Sequence, residues 1–284
     1  MKKLVFTAAV AAAMGAFAIE SANTVGYTTK EVPAGGWMLA AVQFDKVGST
    51  ALPFSEAFDI NADAKTILAW DENEEEVAGW TADAPCIKVP LGTTTSGYQN
   101  LYYTANAWDD DHSDYVPGWA DADGFLVTDA QISMLNGYGV WFVAGASNLT
   151  VTIKGEVKSG ASDTITGDVG WNMLKLPYPV SINALSSKIN WNVTGKGVAA
   201  WDENEDEIEG WTADAITIKI PLGTTKDGYQ NIYYSSNAWD DDKGDYVEGW
   251  ADADGFLVTD AVIPEGQAFW FVLPSAPVTS TVTK

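Results

Sequence analysis

Short apolar runs separated by turn-forming residues recur along the chain and predict β-strands. In the segment NLTVTIKGEV, Leu149, Val151 and Ile153 occupy every second position, with threonine between them. A period of two is typical of a strand that buries one face. Other runs rich in β-branched and aromatic residues, such as AKTILAW and GVWFVAG, lie between Gly, Asn, Asp and Pro clusters. We therefore expect an all-β chain of antiparallel β-sandwich or barrel-like modules.

The second half of the chain repeats the first. Residues Ala69–Ala130 align with Ala200–Ala261 without a gap, and 48 of the 62 aligned positions are identical. A looser match extends on both sides, from GGWMLAAVQF to VGWNMLKLPYP and from GYGVWFVAG to GQAFWFVLP. A repeat of this length is a normal domain size. We expect two tandem modules, at residues 23–155 and 156–284.

Residues 1–22 have the features of a secretory signal peptide. A basic start, MKK, precedes an apolar run from Leu4 to Ala18, and that run ends in the small-residue cleavage pattern AFA. The run is too short to span a bilayer comfortably. We expect a secreted protein, extracellular or displayed at the cell surface, without membrane insertion.

Charge excludes several classes of partner. The formal net charge is −24, and every Lys or Arg position is a lysine. Arginine is the usual residue for bidentate contacts with phosphate, and an acidic surface repels nucleic acid and anionic lipid. We expect no nucleic-acid partner.

The lone Cys86 has no internal disulfide partner, and Thr217 replaces it in the second repeat, so we expect a buried, inert thiol.

Acidic segments in each repeat are the candidate metal sites. DENEE at 71–75 alternates oxygen-bearing side chains as calcium loops do, and a hairpin can gather the aspartates of 109–123. The predicted Ca²⁺ ligands are Asp71, Asn73, Glu75, Asp109, Asp111, Asp114, Asp121, Asp123, Asp202, Asn204, Asp206, Asp240, Asp242, Asp245, Asp252 and Asp254. An EF-hand is excluded, because Glu76 and Ala82 stand where its glycine and bidentate glutamate belong. Alternatively, these acids cap turns and face water.

Tryptophans beside the acidic runs are candidate carbohydrate contacts. An exposed indole can stack on a sugar while neighbouring carboxylates accept hydrogen bonds from hydroxyl groups. The predicted platform residues are Trp80, Trp119, Trp211 and Trp250, each of which follows a glycine. The alternative is burial, because large aromatic rings dominate core energetics. Four other tryptophans, Trp70, Trp141, Trp201 and Trp270, are expected in the core.

Residue types needed for catalysis are scarce. His112 is the single histidine, and its counterpart in the second repeat is Lys243. A Ser-His-Asp or Cys-His arrangement therefore cannot exist in both repeats, and zinc lacks its usual ligands. Paired carboxylates leave glycoside hydrolysis as a remaining enzymatic route. We expect that the protein is not an enzyme.

Export, duplication and the scarcity of catalytic residues together favour a structural or adhesive protein, calcium-stabilised and self-assembling. The C-terminal segment PVTSTVTK mirrors the strand NLTVTIK and is a candidate for pairing with the sheet edge of another molecule. The alternative function is non-catalytic binding of a surface glycan through the loop Trp and Asp residues.

Overall fold

A computed structural model describes residues 25–45, 57–92, 96–128 and 138–284. The protein is nearly all β, with 51% strand and 5% helix, and its small antiparallel sheets are arranged like a four-bladed propeller. The all-β prediction is confirmed. Within these residues no helix is long and apolar enough to cross a membrane. The predicted signal peptide at 1–22 lies outside the described residues.

The strands follow the apolar runs of the sequence. In the first repeat they are β1 (Val25–Val32), β2 (Trp37–Ala40), β3 (Phe44–Asp45), β4 (Phe58–Ile60), β5 (Cys86–Pro90), β6 (Tyr98–Asp109), β7 (Asp114–Ala120), β8 (Val140–Val143) and β9 (Leu149–Val157). Two single helical turns, η1 (Ala62–Lys65) and α1 (Trp80–Asp83), interrupt them. The alternation predicted for β9 is confirmed, because Leu149, Val151 and Ile153 are buried.

The second repeat follows the same order. Its elements are β10 (Ser162–Gly167), β11 (Gly170–Lys175), β12 (Ile182–Asn183), β13 (Ile189–Asn190), η2 (Trp211–Ala213), β14 (Thr217–Pro221), β15 (Tyr229–Asp240), β16 (Asp245–Ala251), β17 (Val262–Ile263), β18 (Ala268–Leu273) and β19 (Val278–Thr283). The long hairpin β15–β16 corresponds to β6–β7, and both hairpins carry a register shift at the same place.

Each repeat forms one five-stranded antiparallel sheet and one smaller sheet. The five-stranded orders are β2-β8-β5-β6-β7 and β11-β18-β14-β15-β16. In the first repeat, β1 and β3 flank β9, and β4 also pairs with β9; in the second, β10 and β13 flank β19. The pair β12-β17 forms a separate small sheet. The C-terminal segment is therefore the central strand of its own sheet, and its pairing with the sheet edge of another molecule stays a prediction.

An apolar cluster joins the two sheets of each repeat. In the first repeat Phe142 of β8 and Ile153 of β9 belong to one cluster, and in the second Phe271 of β18 and Val282 of β19 belong to another. Burying a side chain of this size stabilises the fold by about 1.5–3 kcal/mol. These clusters fix which face of each strand points inward.

A third apolar cluster joins the two repeats, and we call it the seam. It contains Leu39, Ala41, Trp141, Met173, Ala268 and Trp270. The indoles of Trp141 and Trp270, which occupy equivalent positions in the two repeats, lie 6.1 Å apart between ring centroids. Both tryptophans are buried, as the sequence predicted.

Candidate functional site

The first acidic run forms a hairpin turn that is held by its own aspartate. One carboxylate oxygen of Asp71 accepts the backbone N–H groups of Asn73 and Glu75, at 2.8 and 3.0 Å. The backbone N–H of Asp71 donates to the carbonyl of Glu75 at 2.9 Å. These hydrogen bonds, of which the one from Glu75 has the largest effect, hold the pKa of Asp71 below its usual value. The carboxylate therefore acts as an intra-loop cap.

The equivalent run in the second repeat has the same geometry. Asp202 accepts the N–H groups of Asn204 and Asp206, at 2.8 and 3.0 Å. Glu74 and Glu205 have φ angles of 62° and 65° in the two turns. This left-handed conformation is unfavourable for residues with a Cβ, and here it lies within the chain reversal that the aspartate caps.

The ADADGF segments form the same turn from a different sequence. Asp121 accepts the N–H groups of Asp123 and Phe125, at 3.1 and 3.0 Å, and Gly124 takes the left-handed position with φ 84°. In the second repeat Asp252 caps Asp254 and Phe256 at 3.1 and 2.9 Å. Both acidic segments thus share one local pattern, in which a capping aspartate is followed three residues later by a residue in the left-handed conformation.

The loop between β6 and β7 is the third capped turn. Asp109 accepts the N–H of Asp111 at 3.0 Å and contacts Nδ1 of His112 at 2.7 Å. This hydrogen bond raises the pKa of His112 above 6.5. At the end of the loop, Asp114 accepts the N–H of Tyr115 at 2.8 Å.

A lysine replaces the histidine in the second repeat. Asp240 accepts the N–H of Asp242 at 3.1 Å, and Nζ of Lys243 donates to it at 2.7 Å. Asp245 in turn accepts the N–H of Tyr246 at 2.8 Å. A side-chain nitrogen that contacts the aspartate from three positions later is therefore the shared feature, and lysine can replace the imidazole in this role.

The predicted calcium ligands are divided among three turns in each repeat. Across the described part of the chain, the side chains of His, Cys, Asp and Glu form no group of three or more that can hold a metal ion. The leading aspartates already accept backbone hydrogen bonds, which is the use that the sequence left as the alternative. The calcium site stays a prediction.

The four tryptophans predicted as a sugar platform are buried. The exposed fractions are 2% for Trp80, 8% for Trp119, 4% for Trp211 and 9% for Trp250. Trp80 packs edge-on against Tyr102 at 5.6 Å, and Trp119 against Tyr103 at 5.4 Å. Trp80 and Trp211 follow left-handed glycines, Gly79 and Gly210, at the start of a helical turn. Trp119 and Trp250 lie inside strands β7 and β16. This arrangement leaves them no open face for a sugar.

Other aromatic rings lie at the hairpin tips and are partly exposed. In the first repeat Trp70 contacts Tyr115 at 6.3 Å and Phe125 at 5.9 Å, and Trp108 contacts Tyr115 at 5.0 Å. The indole Nε1 of Trp108 donates to Asp110 at 2.7 Å. We call these four rings, with the capped turns beside them, the tip.

The second repeat carries an equivalent tip. Trp201 contacts Phe256 at 5.8 Å, Trp239 contacts Tyr246 at 5.0 Å, and Trp239 donates to Asp241 at 2.7 Å. Sequence reasoning placed Trp70 and Trp201 in the core, whereas both are only partly buried, and it overlooked Trp108 and Trp239. The signal that could have found Trp239 is its position at the end of a long strand, directly before an Asp-rich turn.

Groups with catalytic chemistry are dispersed. Burial raises the pKa of Cys86 to about 11, so its thiol stays protonated at neutral pH, as expected for an inert thiol. A depression lined by Asp63, Asp83 and Gly145 encloses about 10 Å³, enough for about one water molecule. His112 lies on the exposed β6–β7 loop, where its described hydrogen-bond partner is Asp109.

The class that the fold and tips define is an internally duplicated, nearly all-β protein with paired acidic and aromatic hairpins. No protein-family model matches the chain, and neither the curated proteins nor the solved structures contain a match.

Proposed function

We propose that the chain is an exported structural or adhesive protein, built from two fused β-sandwich modules at 23–155 and 156–284. The observation that carries the proposal is the doubled tip, in which acidic turns are held by hydrogen bonds inside each turn. Preformed turns lose little conformational entropy when another surface contacts them. The sandwich assignment is supported by the apolar cluster that joins the two sheets of each repeat.

Non-enzymatic function is part of the same proposal. It is supported by the dispersion of nucleophilic and titratable groups, and by the use of the leading aspartates as caps. The strongly negative surface favours partners or counter-ions that are positively charged, and it opposes contact with anionic lipid or nucleic acid.

Export is tested by fractionating producing cells and sequencing the N-terminus of the purified chain. We expect the chain outside the cytoplasm, with its N-terminus after residue 18 or 22. A full-length chain that stays in the cytoplasm would remove the proposal.

Adhesion is tested on the tips themselves. A double variant, Trp108→Ala with Trp239→Ala, removes one exposed ring from each tip while leaving the core unchanged. Adhesion of the purified protein to cationic and neutral surfaces should fall in this variant. The matched control is His112→Lys, which gives the first tip the residue of the second. Undiminished adhesion of the folded double variant would contradict the proposal.

Carbohydrate binding is the second candidate, and the partly exposed tip rings favour it. Each tip presents indole and phenol rings beside carboxylates, the combination that can stack on a sugar and accept bonds from its hydroxyls. The test is affinity electrophoresis in gels containing a neutral β-glucan. Retardation that the Trp108→Ala and Trp239→Ala variant loses, and that His112→Lys keeps, would favour binding of the glycan. Equal mobility with and without glucan would remove this candidate.

Calcium stabilisation is tested by thermal unfolding. A cation that binds only the native state must raise the melting temperature, and above its Kd the gain in stability grows with the logarithm of the free cation concentration. The melt in millimolar calcium chloride is compared with a melt in EDTA at an ionic strength matched with sodium chloride. Identical melting temperatures would assign the acidic turns to capping alone.

A further inference from the structure

The seam has equivalent contacts on its two sides. Trp37 packs against Trp141 at 6.0 Å in the first repeat, and Trp171 packs against Trp270 at 5.8 Å in the second. A lysine lies 4.7 Å above each outer ring, Lys88 over Trp37 and Lys219 over Trp171. The two apolar faces that meet at the seam are therefore built alike, as in an interface between two copies of one subunit.

Each repeat also covers an edge strand of the other. On β2, Met38 forms a bridge with Thr224 and Ala40 forms one with Gln267. On β11, Leu174 forms a bridge with Tyr138. An opened chain would expose these edges together with the apolar faces, and unpaired edges are templates for pairing with another chain.

Polar contacts make the seam specific for one repeat meeting the other. Lys175, which stands where the first repeat has Ala41, donates to the carbonyl of Val42. Gln43 donates to the carbonyl of Tyr178 at 2.7 Å and accepts the N–H of Gly266 at 2.7 Å. Two first repeats would lack the contact of Lys175 with Val42, because both would carry Ala41 in place of the lysine. The seam therefore accepts a first repeat and a second repeat, from one chain or from two.

The connection between the repeats is short and lies on the surface. Strand β9 ends at Val157 and β10 begins at Ser162, and residues 159–161 between them are exposed. The segment is held by the ion pair of Lys158 with Asp163 at 2.9 Å and by Lys284, which donates to the carbonyls of Ala161 at 3.0 Å and Lys158 at 3.2 Å. A hinge of this kind can extend without breaking either apolar cluster, which is the requirement for exchange of halves between chains.

We propose that two copies of this chain associate by exchanging repeats across the seam. The first repeat of one chain packs on the second repeat of the other, and reciprocally, so that the dimer has two seams identical to that of the monomer. This inference goes beyond the proposed structural or adhesive function, and it gives the self-assembly expected from the sequence a surface and a partner.

The test is refolding of the intact chain from denaturant at increasing protein concentration, followed by size-exclusion chromatography. The matched control is the variant Met38→Cys with Thr224→Cys, oxidised to a disulfide before denaturation. This disulfide ties the two repeats of one chain together across the seam, so they cannot be exchanged with those of another chain. We expect dimer in the unlocked chain only, with a dimer-to-monomer ratio that, while monomer predominates, rises about tenfold for a tenfold rise in concentration. Native mass spectrometry of mixed unlabelled and ¹⁵N-labelled chains should show mixed-mass dimers.

Two outcomes would overturn the exchange. One is an unlocked chain that refolds only to monomer at the highest concentration. The other is equal dimer formation by the locked and unlocked chains, which would assign the dimer to another surface. Either result would leave export and adhesion through the tips untouched, because those tests use the folded monomer.

Discussion

At the residue scale, aspartates decide the shape of the acidic runs. Asp71 and Asp121 start turns of the same geometry although the residues after them differ, because each accepts two backbone amides. The sequence offered this as one of two alternatives. It could not choose between them, since oxygen atoms spaced for calcium are also spaced for capping amides two and four residues later.

A left-handed residue in the β6–β7 loop gives a direct test of turn strain. Ser113 has φ 53°, and its counterpart Gly244 has φ 64° with open space where a Cβ would lie. Ser113→Gly should stabilise the protein by about 0.5–1 kcal/mol, and Gly244→Ser should destabilise it by a similar amount. Unfolding in urea measures both. Changes of the same sign would contradict the account.

His112 predicts a pH dependence that belongs to the first tip alone. Its hydrogen bond with Asp109 raises the histidine pKa above 6.5 in the folded state. The stability that it adds is therefore complete below pH 6.5 and is lost as pH rises through the folded pKa. NMR titration of the single histidine should give a pKa above 6.5, and Asp109→Asn should lower it. A pKa at or below 6.5 would contradict the contact.

At the element scale, asparagine side chains hold the acidic turn to the long hairpin. Asn106 accepts the N–H of Ala69 at 2.8 Å and donates to the carbonyl of Trp70 at 2.6 Å. Asn237 makes the same contacts with Ala200 and Trp201 at 2.7 Å. The sequence predicted the strands and the turns from alternation and turn residues. It gave no sign of this bridge, because the partners are 36 or 37 residues apart.

Removing one of these bridges should loosen a whole tip. Asn237→Ala leaves backbone groups of Ala200 and Trp201 without their partner, so we expect a loss of about 1–3 kcal/mol. The control is Ser236→Ala, at an exposed neighbouring position on the same strand. Chemical unfolding monitored by tryptophan fluorescence compares the two. Equal stabilities of the two variants would show that the bridge contributes little.

At the scale of the whole molecule, the sequence predicts the duplication but does not predict the seam. Identity between the repeats predicts similar sheets, and the structure has a five-stranded antiparallel sheet in each repeat. The seam depends on which outer faces meet, and that choice rests on contacts such as Trp141 with Trp270 that no local pattern encodes. The same limit explains the misplaced sugar platform. A Gly-Trp pair has the same sequence whether the indole points inward or outward.

Net charge predicts a dependence of stability on salt. The chain has a formal net charge of −24, and many of its carboxylates lie on the hairpin tips. They repel one another in the folded state, and added salt screens that repulsion. The melting temperature should therefore rise with sodium chloride between low and physiological ionic strength. A melting temperature that falls over this range would mean that attractive ion pairs outweigh the repulsion.

The most direct test of the account is NMR titration of the amides that the capping aspartates bind. The N–H signals of Asn73 and Glu75, and of Asn204 and Asp206, should report aspartate pKa values below 3.8. Midpoints at or above 3.8 would contradict the claim that these carboxylates are committed to their own turns.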